Sequence, residues 1–307
     1  MNIKNTVLAI LFACMLPLTS HAKEILIGAS MAVFDDNWQT ILRHNIQRKV
    51  QEAGAKIHME DAKGDVAQQL QQVQNFIGQG VDAIIIVPVD TDAVQPIIKV
   101  VDASGIPLVF VNRDPQAALG SKMAYVGSDS QVAGQLQMEA LAKSMDYKGN
   151  VAILLGELSN ESTRERTKGV KSVIAKYPDI RIVEEQTAKW SRNEAVDLVT
   201  NWLTTGKEIN AIASNNDEMA IGALQALGRN SNNILVAGVD GTPDALQFIK
   251  NGKMVATVFQ SAQGQGEGAV DTAMKLIGGE KVESAVLVPF ELITKDNYQE
   301  FASRNTK

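Results

Sequence analysis

An α/β fold built on parallel sheets follows from three observations. Short runs rich in Val, Ile and Leu alternate along the chain with longer amphipathic stretches. Within most runs the apolar residues are consecutive rather than alternating, as in strands covered by helices on both faces. Asp, Ser or Thr residues stand just before many of the amphipathic stretches, where a helix N-terminus needs a side-chain acceptor. About nine strands in under 300 residues suit two domains better than one closed barrel, although no internal sequence repeat is visible.

The N-terminus is read apart from the fold. Met1 to Ala22 carries one early charge at Lys4, an apolar run from Val7 to Leu18, and then Ser20-His21-Ala22. This is the pattern of a cleaved secretory signal peptide. Cutting before Cys14, as in a lipoprotein, is the alternative; it would leave half of the apolar run on the mature chain. Cys14 is the single cysteine of the sequence and leaves with the signal peptide, so no disulfide is expected. A chain of about 285 residues buries enough surface to fold without one.

The strand candidates follow in order: Ile25-Leu26-Ile27, Ala83 to Val87, Leu108 to Val111, Val151 to Leu155, Ala211-Ile212-Ala213, Ile234 to Val239 and Val255 to Phe259. Between them the spacing predicts helices over Trp38 to Ala53, Val66 to Gly78, Ala93 to Ala103, Gln131 to Met145, Thr163 to Lys176, Asn193 to Leu203, Glu218 to Leu227 and Pro243 to Asn251. Asp65, Asp92, Ser130, Asp217 and Thr242 are the expected N-caps.

The formal net charge is −6, and acids and bases are interspersed without a basic run. That argues against nucleic-acid binding, which needs clustered Lys and Arg to neutralise phosphates. Beyond the signal peptide no apolar segment approaches the roughly 20 residues of a membrane span. A soluble protein exported to the periplasm is expected.

Ligands of open α/β sheets collect at the carboxyl ends of the strands. Those ends carry Asp36 and Trp38, Pro88 to Asp90, Asn112-Arg113-Asp114, Gly156 to Asn160, Asn215-Asn216-Asp217, Asp240 and Gln260. These groups hydrogen-bond well and offer little chemistry. No nucleophile elbow or phosphate loop is present, and "GQGEG" at 264–268 reads as the start of a helix. His44 and His58 have no partner at metal-ligand spacing and read as surface residues. No cofactor, metal or catalytic residue is expected. Taken singly, the polar residues also have ordinary readings: Asp36 a loop acid, Trp38 packing, Asp240 a turn before Gly241, Asp217 a cap, Arg164 surface charge.

Taken in order, the motifs resemble a family. "FDDNW", "VDAIIIVPVDTDA", "GIPLVFVNRDP", "TRERTKGV", "SNNDEMAIGALQAL", "GVDGTPDAL" and "ATVFQ" are similar to segments of the periplasmic sugar-binding proteins of the ribose and galactose/glucose type, which feed ABC transporters. The likeness runs through residues 23 to 307. It implies a type I periplasmic binding protein: two doubly wound parallel-sheet lobes joined by three hinge crossovers. Residues 23–126 plus 259–288 would form the N-terminal lobe and 127–258 plus 289–307 the C-terminal lobe. Hinges would lie near Tyr125-Val126-Gly127, Val258-Phe259-Gln260 and Val288-Pro289-Phe290.

The resemblance also implies a ligand set. Trp38 and Trp190 would cover the two faces of a sugar-like ring, whose C–H faces suit aromatic platforms. Asp36, Asn112, Arg113, Arg166, Asn216, Asp240 and Gln260 would bind the hydroxyls round its edge, where carboxylates, amides and guanidinium give paired hydrogen bonds. Asn160 and Ser162 replace two hexose-binding side chains of the glucose-type proteins, and the turn at 144–151 has Asp146 as its only acid where those proteins bind calcium. "FDDNW" with "VNRDP" is similar to inositol- and rhizopine-binding proteins. The expected ligand is therefore a cyclitol, myo-inositol first, with ribose or another pentose or hexose as the alternative. The expected partner is the membrane permease of an ABC importer, with a chemoreceptor as a further one, and the protein is expected to act as a monomer. A repressor of the same fold would carry a DNA-binding domain where this chain has its signal peptide. A hydrolase pairing Asp36 with Asp240 is disfavoured by the flanking arginines, which would keep both acids ionised.

Overall fold

The structure, a computed structural model, describes residues 24–228 and 233–305; the signal peptide expected over residues 1–22 lies outside them. The chain first lays down β1 (Leu26–Met31), α1 (Asn37–Glu52), β2 (Lys56–Asp61), α2 (Val66–Gln79), β3 (Ala83–Ile86), α3 (Gln95–Ser104), β4 (Leu108–Asn112) and β5 (Met123–Gly127). It then crosses to α4 (Ser130–Ser144), β6 (Gly149–Leu155), α5 (Glu161–Ile174), β7 (Ile180–Thr187), α6 (Arg192–Thr204), β8 (Ala211–Ser214), α7 (Asp217–Leu227), β9 (Leu235–Ala237), α8 (Pro243–Lys250) and β10 (Ala256–Phe259). It returns for α9 (Ala262–Ile277) and β11 (Ala285–Leu287), and crosses again for β12 (Glu291–Thr294) and α10 (Tyr298–Phe301).

Two six-stranded sheets result, in the orders β11-β5-β4-β3-β1-β2 and β12-β10-β9-β8-β6-β7. All recorded pairings are parallel except β10 with β12. The first five strands of each lobe therefore share one order, 2-1-3-4-5, which reverses direction beside the first strand and opens a crevice there. The three passages between the sheets run beside the segments expected as hinges.

Burial on both faces explains the apolar runs. In β3, Ala83 and Ile85 pack with α1 and α9, while Ile84 and Ile86 pack with α2 and α3, and all four are fully buried. The two edge strands differ. β2 (KIHMED) and most of β7 (IRIVEEQT) leave side chains exposed or half-buried, so neither reads as an apolar run.

The caps depart from expectation by small steps. Asp65 and Thr242 do cap α2 and α8 through their side chains. The α4 cap is Asp129 rather than Ser130, and the α7 cap is Asn216 rather than Asp217. Asp92 sits inside a single 3-10 turn, Thr91–Ala93, capped by Asp90; α3 follows with Pro96 in its first turn and no side-chain cap.

Helices α4 and α5 are pressed together through glycines. A Cβ on Gly134 would lie 1.9 Å from the Arg166 carbonyl oxygen, and one on Gly169 would lie 2.2 Å from that of Gln131. Backbone against backbone leaves no flexible side chain to yield. This contact fixes the turn of α5 that presents Arg166. Gly134→Ala is expected to lower stability by about 3 kcal/mol, at the upper end of overpacking costs, in a urea titration; an unchanged midpoint would show that the helices separate at no cost.

Candidate functional site

Between the carboxyl ends of the two sheets lies a cavity of about 360 Å³, lined by all nine residues expected at the site. From the first lobe come Asp36 and Trp38 after β1, and Asn112 and Arg113 at the end of β4. Arg166 (α5), Trp190 (after β7), Asn216 (before α7) and Asp240 (after β9) come from the second lobe, and Gln260 sits on the crossing that follows β10.

Arg166 is the most constrained of them. Only 4% exposed, its guanidinium donates from Nη1 to the Asn215 carbonyl at 2.6 Å and from Nη2 to Gln260 Oε1 at 2.8 Å. Asp240 Oδ1 lies 3.8 Å from Nη1, and the rings of Trp190 and Phe290 lie 5.7 and 5.9 Å from the guanidinium carbon. Among the described residues its Nε has no hydrogen-bond partner. Arg113, also buried, donates to the carbonyls of Pro88 at 2.7 Å and Val89 at 3.1 Å, and burial pulls its pKa down.

The two indoles are held differently. Trp38 belongs to the first lobe's core and donates Nε1–H to the Gln260 carbonyl at 3.1 Å, so its ring is both cleft wall and packing. Trp190 takes a left-handed backbone (φ 64) and lies on the backbone of Gly156, where a Cβ would come within 2.1 Å of the ring. The Trp190 Nε1–H is buried and has no hydrogen-bond partner among the described residues.

Several expected ligands also serve the scaffold. Asp36 Oδ1 caps α1 by accepting from Gln39 N at 2.6 Å, and Asn216 Oδ1 caps α7 by accepting from Met219 N at 2.9 Å. Asn112, at φ 71, donates to Gln265 Oε1. The bonds that fix these side chains leave them with further lone pairs or protons.

Other strand-end residues, named from the sequence but not placed among the ligands, also shape the site: Asn160 lines the cavity, while Asn215 and Asp217 are outside its lining. Asn160 is fully buried; its Oδ1 caps α5, and its Nδ2 has no hydrogen-bond partner among the described residues. Asn215 fixes Arg166 through its carbonyl, and its side chain accepts from Gly156 N and Thr167 Oγ1. The neighbouring amides of "SNND" were the available signal. Asp217 is a buried anchor rather than a cap, accepting from Thr257 Oγ1 at 2.6 Å and from the backbone and hydroxyl of Thr242. Arg164 is more than surface charge: it pairs with Asp92 of the first lobe at 2.9 Å, across the cleft rim. His44 and His58 are both exposed, away from the cavity.

The arginines do not lower the cleft acids' pKa values as expected, because burial outweighs them. Burial is the largest influence on Asp36 and Asp240 and raises both, Asp240 well above the usual range, even though Arg113 and Arg166 pull the other way. Desolvation penalises a charge more than a neighbour 3.8 Å away relieves it. Glu161 and Asp217 are likewise pushed by burial to about 7.

Glu161 is 3% exposed where the lobes meet, accepting from the Asp114 backbone N–H at 3.3 Å and from Ser162 Oγ. Its folded pKa of about 7 exceeds its ordinary 4.5, so protonation favours the folded form. The stability this group contributes is complete below about pH 4.5 and is lost as pH rises through about 7. Glu161→Gln keeps the accepting oxygen, and at pH 8 should stabilise the protein by on the order of 2 kcal/mol. Melting curves at pH 5 and pH 8 test this: the variant should lose less on going to pH 8 than the wild type, and equal losses would contradict it.

Comparison with known proteins points one way. A family model described as a periplasmic binding protein domain matches residues 27–281. A Rhizobium meliloti protein described as a "Putative rhizopine-binding protein" is 46% identical over 98% of this chain and 100% of its own. The ribose import binding protein of Bacillus subtilis is 32% identical over 90% of each chain. Among solved structures, an ABC transporter solute-binding protein from Bacillus halodurans with bound myo-inositol superposes with a TM-score of 0.89. It is 39% identical, and the match covers 93% of this chain and 100% of that one.

Proposed function

This chain belongs to the periplasmic binding protein family, and we propose that it captures a cyclitol, myo-inositol first, between its lobes for delivery to an ABC importer. As a member of that family it is a solute-binding protein for small sugars or polyols, not an enzyme, and works in the periplasm. The finer reading adds export by cleavage of the signal peptide at residues 1–22, action as a monomer, and lobes formed by 23–126 plus 259–288 and by 127–258 plus 289–307.

One observation carries the ligand reading: a single cavity is lined from both lobes by indoles, guanidiniums, carboxyls and side-chain amides. Arg113 and Arg166, with the side-chain amides of Asn112 and Asn216, supply donors for hydroxyl oxygens along its wall. Asp36 and Asp240 face the same space. A cyclitol carries a hydroxyl on every ring carbon, each able to donate and accept, and has no ring oxygen that only accepts. The cavity of about 360 Å³ is at the small end of the range for ligand sites. The myo-inositol in the similar solved structure supports this choice, and the ribose-binding relative keeps a pentose as the alternative.

A thermal-shift panel of myo-inositol, scyllo-inositol, ribose, xylose, galactose and glucose tests the reading. An inositol should give the largest shift, with affinity at micromolar or better, about −8 kcal/mol. The largest shift from ribose or galactose, with none from the inositols, would overturn the cyclitol and leave the sugar-binding role. In titration calorimetry with the preferred ligand, Arg166→Ala should cost about 2 kcal/mol or more, because its partners are left buried and unpaired. His44→Ala, exposed and remote, should be neutral; equal losses would remove Arg166 from the site.

A further inference from the structure

We infer that Asn305, in the C-terminal tail and outside the cavity, is a positioning residue that holds the second crossing and, through it, three of the proposed ligand contacts. This deepens the polyol-binding reading and rests on it. Asn305 is 2% exposed, and its side chain is wholly committed. Its Nδ2 donates to the carbonyls of Asp240 and Gln260, both at 2.9 Å, and its Oδ1 accepts from the Ala262 backbone N–H at 3.2 Å.

Those three bonds span the point where the chain changes lobe. Asp240 follows β9 of the second lobe, Gln260 lies on the crossing, and Ala262 begins α9, which packs on α1 of the first lobe. A rotation of one lobe about the other has to be absorbed by backbone torsions in such a segment. An amide bonded on both sides of it biases which torsions are occupied. The carbonyl of Gln260 is shared: it also accepts the Trp38 indole N–H. Asp240 holds φ at 132, a value that an L-residue keeps only when its surroundings impose it. Its carbonyl takes a second bond from Gln260 N at 3.1 Å. One side chain thus sets the backbone under Asp240 and Gln260 and the docking of Trp38.

The tail is itself held. Arg304 pairs with Glu291 on β12 and lies over the rings of Phe259 and Phe301, 4.3 and 4.7 Å from their centroids. Asn305 is therefore presented from a fixed base, as a positioning role requires.

Asn305→Ala and Asn305→Asp test the proposal. The first deletes all three bonds; the second keeps the size and the acceptor but sets an oxygen against two carbonyls. Each should bind the polyol preferred by the wild type at least 10-fold more weakly, with a faster dissociation rate. Amide hydrogen exchange, which needs no ligand, should rise in 238–242 and 258–264 and stay unchanged elsewhere in the second lobe. Exchange rising evenly across that lobe, or affinity within 2-fold of wild type in either folded variant, would overturn the positioning role. A wild type that binds none of the polyols would instead sink the polyol reading, and the exchange pattern would still decide the role of Asn305.

Discussion

The buried guanidinium of Arg166 is the constraint that the rest of the site answers to. A charge withdrawn from water costs several kcal/mol unless partners surround it. Here the partners come from the end of β8 (Asn215), the loop after β9 (Asp240) and the crossing after β10 (Gln260). Each must be presented at the carboxyl end of a parallel strand, so both the sheet order and the helix contact at Gly134 serve the same end. The hydrogen bonds run mostly to neutral dipoles. They engage both terminal nitrogens without cancelling the charge.

The same desolvation explains why the acids behave unexpectedly. Asp36, Asp240, Glu161 and Asp217 all have raised pKa values with burial as the leading cause. A cleft built this way places buried carboxyls with raised pKa values, Asp36 and Asp240, beside fixed donors. Enzymatic use of such acids would need a reacting group held against them. The family's solute-binding character runs against that, rather than the protonation argument that first suggested it.

The sequence revealed the fold where physics is local and the site only where a family pattern carried it. Strands buried on both faces, such as β3, announce themselves as apolar runs, while β2 and β7 lie at sheet edges with one side toward water and do not. Cap positions slipped by one residue at Asp129 and Asn216 because neighbouring polar residues compete for the same backbone N–H. All nine residues expected from the family pattern line one cavity, though spacing alone would have left most of them as caps, turns or packing. Distant pairings had no signature: Arg164 meets Asp92 across 72 positions, and Asn305 meets Asp240 across 65. The matching strand order of the two lobes was equally hidden, because sheet topology constrains apolar pattern and not residue identity.

The placement of the indoles has an optical consequence. The chain has three tryptophans. Trp202 is sealed in the second lobe's core, Trp38 is bonded to the Gln260 carbonyl on a crossing, and Trp190 faces the cleft on the Gly156 backbone. Emission from an indole follows the polarity and rigidity of its surroundings. Relative movement of the lobes therefore alters two of the emitters and leaves the third as an internal reference. The protein carries, in its own side chains, the elements of a ratiometric reporter that needs no attached dye.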